Sequence, residues 1–504
     1  MSVDERWRRL DHRGHVALTA IGLATLAIAA RLLPLLRGGG LTGLGNYDDG
    51  VYYSAGTALL HGLLPYRDYV FLHPPGIILL LAPFGLAGVA GHDPTGLAVA
   101  RLGCVLLGAI NTLLVAVILR PAGRVHALVG AAFYATAFPA IYIEWTPLLE
   151  GPAQTCLLAS VALLARCEAD SDARWLPVFC AGGLLGISAT FKIWGVVAVV
   201  TVLAWYGLRR RWRAGGWIAL GAAAGTTIVC LPFFAAAPVA MWRMVVTDQL
   251  GRNRSAMSVP RRLAAILDLG LHARLISHPA LLAGAFVVAV AVLVAATRVA
   301  PARLCVVLTL SLSTLLAISP SWFLHYPGLA TGPLAVSVGA GTGFLIRAAA
   351  ARRRWAGASA AVLVGLLLAF GAAPLPALRL GTAFPAQRLA VAMRALPPTD
   401  CVTADDPATL VALNVLTRDL DHGCPFVADL GGFSYELATE RGGWVRREDD
   451  PRWQRLYLGY LASGDVTLSC RFGGLGALAP TTTATVSRWP VIIRAGRYAV
   501  RMPN

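Results

Sequence analysis

Charge is scarce in this chain. Only 14% of its 504 residues are Asp, Glu, Lys or Arg, against about 25% in soluble globular proteins. That excludes a water-soluble enzyme for most of the length. Lysine is nearly absent: Lys192 is the single copy among 43 basic residues. No Walker A loop, no GxGxxG directly opening a helix and no CxxC pair occurs, so nucleotide-sugar chemistry lacks its usual phosphate cradles. What is abundant is apolar: 57% of the residues are hydrophobic, enough for many spans of about 20 residues each. Ala, Gly and Arg are abundant, the coding bias of a high-GC genome such as an actinobacterium's.

The net charge of +17 would suggest a nucleic-acid partner in a soluble protein. In a membrane chain it fits cytoplasmic loops facing anionic lipid, and no nucleic acid is implied. Apolar runs predict about eleven spans, near 16–36, 97–119, 125–143, 152–166, 175–191, 193–208, 215–237, 279–297, 304–319, 327–346 and 355–373. The first follows the basic stretch Arg6–Arg13 and reads as an uncleaved signal-anchor. The run 77–90 is short and holds Pro83, so it reads as an interfacial or half-inserted helix.

Arginine clusters set the orientation. Arg120/Arg124, Arg166/Arg174, Arg209–Arg213, Arg298/Arg303 and Arg347/Arg352–Arg354 punctuate alternate gaps. Placing them inside, with the N-terminus, satisfies the positive-inside rule. The stretches 37–96, 144–151, 238–278 and 320–326 then lie outside, in a plasma-membrane, multi-pass topology. An odd span count also puts the tail outside. The expected division is a transmembrane catalytic unit, 1–373, and an extracytoplasmic α/β domain, 374–504, joined by Ala373-Pro374-Leu375-Pro376. The tail's β-rich pieces are 401–403, 466–469 and 491–493.

Charges at membrane level are functional candidates by default. The external ones cluster: Asp48, Asp49 and Tyr52 after the first span, then His73, Glu144, Glu150, Lys192, Arg252, Arg254, and His325-Tyr326. Acids there can serve a hydroxyl acceptor as general base, and cations can hold a lipid-linked phosphate as a leaving group. Plainer readings exist for each. Asp48 or Asp49 can cap a helix over 50–61 that Gly62 ends, His73 can precede a Pro-Pro turn, and Lys192 can snorkel. Glu144 and Glu150 can be turn residues, and Arg252 and Arg254 can touch lipid headgroups. In the tail, Asp405-Asp406-Pro407 reads as a turn, while Trp444, Trp453 and Tyr457 are candidate glycan contacts. No metal-ligand set and no cofactor is read; a divalent metal requirement stays open. Cys401 and Cys424 frame 22 residues in a segment expected outside, where disulfides persist, so they are expected to pair and leave Cys470 free.

The ordered set Asp48-Asp49-xx-Tyr52, Gly62, Pro65-Tyr66 and His73-Pro74-Pro75-Gly76 resembles the first external loop of GT-C glycosyltransferases. The similar types are the lipid A aminoarabinose transferase, the protein O-mannosyltransferases and actinobacterial polyprenyl-phosphate-sugar enzymes. The resemblance extends to the placement of Glu144/Glu150, Lys192 and the 325–333 stretch. It implies a mainly α GT-C fold and an inverting transfer from a polyprenyl-phosphate sugar, of mannose or arabinofuranose type, to a cell-envelope glycan, lipid or protein. It also implies Asp48 as the catalytic base, Asp49 as the adjacent acid, and His73 in place of the family's phosphate-contacting lysine, a departure that leaves Lys192, Arg252 and Arg254 to supply permanent charge. Tyr52, Glu144, Glu150, His325 and Tyr326 would position sugar or acceptor. The rival reading is a transporter or flippase of lipid-linked saccharide, whose key charges would sit at the bilayer midplane on broken helices.

Overall fold

The structure, a computed structural model, describes residues 3–169, 175–253 and 255–503. Arg174 and Arg254, both singled out in the sequence, lie outside the described residues. The first half runs α1 (Val3–Arg37), α2 (Tyr47–Leu60), α3 (Gly76–Val89), α4 (Asp93–Leu119), α5 (Arg124–Thr136), α6 (Phe138–Glu144), α7 (Glu150–Ala169), α8 (Trp175–Phe191), α9 (Val196–Leu208) and α10 (Trp212–Ala236). Short helices α11 (Pro238–Trp242), α12 (Asp248–Leu250), α13 (Val259–Ile266) and α14 (Ala273–Ser277) precede α15 (Pro279–Ala296), α16 (Arg303–Ile318), α17 (Gly328–Arg352) and α18 (Arg354–Ala372).

Helices occupy every run in which the sequence predicts a span, yet eleven full spans are not found. Among the described residues seven helices are long and apolar enough to cross a membrane, or eight if the bent pair α5–α6 is one span. That pair bends by 59° at Ala137, just before Pro139. Helix α8 has 17 residues and is followed by Lys192 and a 3-10 turn before α9, so two short helices replace two spans. Helix α7 carries Glu150, Gln154, Arg166 and Glu168, which dilute its apolar character. Residues 76–89 form the short helix α3, whose Leu79, Leu80 and Leu86 remain exposed.

The tail holds a four-stranded sheet of order β1-β2-β4-β3, with β1 (Val402–Ala404), β2 (Val466–Leu468), β3 (Val491–Ala495) and β4 (Tyr498–Arg501). Strand β1 pairs with β2 in parallel, and the other pairs are antiparallel. The short strand β4, missed in the sequence, closes a hairpin across Gly496 and Arg497. Asp406 caps the helix Pro407–Ala412, its side chain accepting from the Ala408 N–H, so the Asp-Asp-Pro segment opens a helix. A disulfide joins Cys401 to Cys424.

The tail is packed onto the segment 37–96 that follows α1. One core combines Tyr52, Phe71 and Ile77 with Val402, Leu410 and Val466. Asp93 accepts hydrogen bonds from the Thr417 N–H (3.1 Å) and hydroxyl (2.6 Å). Asn414 bonds the Asp93 N–H and the Gly91 carbonyl, both at 2.8 Å. Gly50 is required by this contact, because a Cβ there would lie 2.5 Å from the Ala408 nitrogen.

Candidate active site

The site begins at the start of α2. Asn46 is the cap: its backbone is extended and its side chain accepts from the Asp48 N–H. Neither Asp48 nor Asp49 caps the helix, which corrects that plain reading. The far end follows the expectation: Gly62, at φ +80°, takes the left-handed position, and the Leu63 N–H returns to the Ala58 carbonyl at 3.1 Å, as a glycine-terminated helix does.

Successive helical residues diverge by about 100°, so the first turn splits three ways. Tyr47 donates to Asp429 Oδ1 at 3.2 Å and accepts from the Gly431 N–H at 3.1 Å. Asp49 points inward and pairs with Arg101 Nη2 at 2.7 Å, with Thr146 donating to the same oxygen. Asp48 faces a cavity of about 310 Å3 lined by Tyr47, Tyr52, His73, Tyr142, Arg252, His325, Asp429, Tyr435, Arg447 and Arg471.

Among the described residues no donor hydrogen-bonds the Asp48 carboxylate; His325 Nδ1 lies 3.8 Å away, on an imidazole that burial and the Lys192 charge hold well below its ordinary value. Burial first, then the Asp429 charge, push Asp48 up to about 7, against the pull of Arg252 and Lys192. Burial likewise raises Asp429, although the Gly432 N–H and Arg447 oppose it. Burial, Arg252 and Lys192 hold His73 well below the ordinary imidazole value. His73 is therefore neutral and adds no charge to a phosphate site. Gln249 Nε2 donates to its Nδ1 at 3.4 Å, which leaves its Nε2–H as a donor.

Three guanidiniums supply the positive charge. Arg252 reaches in from the segment after α12. It lies 4.5 Å from the Tyr435 ring centre and donates to the Tyr326 hydroxyl at 3.4 Å; its Nε is buried without a partner among the described residues. Arg447 is braced by Ser434 Oγ at 2.7 Å and lies over Phe472. Arg471 lies over the Tyr47 ring at 5.5 Å, and its Nε is also buried without a partner among the described residues. The loop that presents it is organised by Asp405, which accepts from the N–H groups of Cys470, Arg471 and Phe472.

Lys192 and Glu150 lie just outside the cavity. They form a buried pair, with the Lys192 ammonium 4.1 Å from the Tyr326 ring centre. His325 Nε2 is 3.8 Å from Glu150 and its Nδ1 3.8 Å from Asp48, so His325 stands between the pair and the free carboxylate. Tyr326 is fully buried and bonds Ser321 at 2.9 Å.

Several expected residues are not brought here. Glu144 is fully buried, bonded by Arg31 (2.8 Å), Asn111 (2.6 Å) and Tyr134 (2.7 Å), and does not line the cavity. Asp49 is committed to Arg101. Trp453 and Tyr457 are fully buried in the tail's own core; Trp444 packs on Tyr435, 5.3 Å between ring centres. The sequence reading missed Asp429, Tyr435, Arg447, Arg471 and Phe472. The one signal in the tail was its enrichment in arginine, which does not say which arginines face α2.

With this geometry in hand, comparison with known proteins is informative. The Glycosyltransferase family 87 model matches residues 71–320. No curated protein matches the chain by sequence. Among solved structures, ArnT from Cupriavidus metallidurans in the apo state is 16% identical, with a TM-score of 0.61 and 98% of each chain covered. The same enzyme bound to undecaprenyl phosphate is 14% identical, with a TM-score of 0.52, covering 97% of this chain and 98% of that one. The archaeal oligosaccharyltransferase AglB from Archaeoglobus fulgidus, in complex with an inhibitory peptide and a dolichol-phosphate, is 12% identical, with a TM-score of 0.55, covering 99% of this chain and 75% of that one. The chain shares its fold with these membrane glycosyltransferase structures, and its residues 71–320 resemble Glycosyltransferase family 87.

Proposed function

We propose that the protein transfers a sugar from a polyprenyl-phosphate donor to a hydroxyl acceptor in a single inverting displacement. Asp48 takes the acceptor's proton while the acceptor oxygen attacks the anomeric carbon. The bond from that carbon to the phosphate oxygen breaks, and the polyprenyl phosphate leaves with the electron pair. Arg252 is the cation that meets the departing phosphate, assisted by the neutral His73 Nε2–H as a donor. Lys192, held by Glu150, adds its field from behind His325. Asp429, Arg447 and Arg471 face the acceptor. The donor sugar is of mannose or arabinofuranose type, and the acceptor is a cell-envelope glycan, lipid or protein on the extracytoplasmic face, with the N-terminus cytoplasmic and residues 374–504 outside.

The observation that carries this reading is Asp48 itself: a carboxylate with no hydrogen-bond partner among the described residues, raised to about 7 and sharing a cavity with three arginines. A base titrating near the working pH is matched to proton abstraction. Two similar structures are described with undecaprenyl phosphate and dolichol-phosphate, which supports a lipid-linked donor. Gathering the charges at one end of the helices favours an enzyme over a transporter. The test supplies membranes with a panel of radiolabelled polyprenyl-phosphate sugars and compares wild type with a deletion strain. Label transfer that requires this chain and inverts the anomeric centre supports the reading; transport of intact donor without transfer rejects it.

A further inference from the structure

A second polar hollow lies at the other end of the helices. Arg101, ion-paired beside the active site, and Arg120, the C-cap of α4, are both on this helix. At 1.5 Å per residue they are roughly 28 Å apart, close to the thickness of a bilayer's hydrocarbon core. The two cavities therefore open toward opposite leaflets. The second, of about 430 Å3, is bounded by the ends of α4, α7 and α9 and the start of α16, with Arg120, Arg166, Glu168 and Tyr206 among its lining.

Its charge is unbalanced. Glu168 already faces Arg209 at 3.3 Å and Arg211 at 3.9 Å. Neither the Arg120 nor the Arg166 side chain makes a hydrogen bond or ion pair among the described residues. Below the arginines the wall is apolar, formed by Val117, Val161 and Leu164. Trp205 lies beneath the Arg209 guanidinium at 4.3 Å, at the level where aromatic residues meet lipid headgroups.

We propose that this hollow binds one anionic glycerophospholipid of the leaflet opposite the active site. Its phosphate lies between Arg120 and Arg166, and an acyl chain follows the apolar wall. Basic pockets between helices suit such headgroups because unpaired guanidiniums meet a fixed anion at the membrane surface. The site does not depend on the proposed sugar transfer.

Native mass spectrometry of the full chain, incubated with phosphatidylglycerol or with phosphatidylcholine of the same chain length, provides the test. Wild type should retain one phosphatidylglycerol in preference to phosphatidylcholine. The Arg120→Gln/Arg166→Gln double variant should bind it about 30-fold more weakly, and Arg352→Gln, which does not line the hollow, should bind as wild type. Equal retention of both lipids, or undiminished retention by the double variant, overturns the proposal. Displacement of the lipid by millimolar inorganic phosphate would reassign the hollow to a free anion. If the double variant does not fold, the two-lipid comparison on wild type decides alone.

Discussion

Asp49 accepts an ion-paired hydrogen bond from Arg101 at 2.7 Å, one residue along α2 from an Asp48 carboxylate that no described donor reaches. Arg101 also donates to the carbonyls of Leu41 and Gly43, at 2.7 and 2.8 Å. It thereby ties the entry loop, α4 and the first turn of α2 together. Of two adjacent acids, one is ion-paired in the frame and the other lines the cavity.

Asp49→Asn should accordingly be a stability variant. Removing one partner of a buried ion pair typically costs about 3–5 kcal/mol, because Arg101 is left uncompensated. Thermal unfolding of the purified protein should show a large drop for Asp49→Asn and none for Asp48→Asn. Wild-type stability in Asp49→Asn would move Asp49 out of the frame.

Transfer should depend on pH through Asp48. With this carboxyl raised to about 7, the rate should climb with pH and level off above about 7. Stability runs the opposite way. The folded protein binds more protons at this group than the unfolded chain does, so ionisation costs stability as pH rises from about 4 to 7. Below that window both states are protonated and the effect vanishes. Melting temperatures of wild type and Asp48→Asn should match at low pH and separate as pH rises, with the variant higher. Parallel curves would mean that Asp48 is not raised.

The neighbours of His325 should tune that profile in opposite senses. The Glu150 charge raises Asp48 and the Lys192 charge lowers it. Glu150→Gln should shift the acid limb of the rate profile to lower pH, and Lys192→Met should shift it higher. Each also breaks a buried pair, so rates are compared only between folded preparations. An unmoved limb in both variants would show that the pair does not act on Asp48.

The Cys401–Cys424 link closes a short loop beside β1. Replacing both residues by Ser should lower tail stability by about 3 kcal/mol in the chain-entropy model. Because the tail shares its core with the segment 37–96, the lost stability should also reduce activity at elevated temperature. Limited proteolysis of the paired and unpaired forms measures this; equal protection would show the link to be dispensable.

Much of the membrane part was legible because apolar runs and arginine clusters report directly on spans and loops. The run 125–143 is bent at Ala137, before Pro139, and the runs on either side of Lys192 are helices too short to count as full spans. The membrane-side half of the cavity was legible for a similar reason: Asp48, Tyr52, His73, Arg252 and His325 are polar residues stranded at membrane level. Asp429, Arg447 and Arg471 were not, since they are ordinary residues in a polar tail until the packing of Thr417 on Asp93 brings that tail over α2. Glu144 misled because its buried partner, Arg31, sits in the first span, 113 residues away.

The most direct measurement is the transfer rate of purified Asp48→Asn against wild type at matched thermal stability. Asparagine preserves the size of the side chain but cannot take the acceptor's proton. The rate should fall by about 10²–10⁴-fold while donor affinity is kept. A rate within about threefold of wild type would contradict proton abstraction by Asp48 and leave the residue without a part in the chemistry.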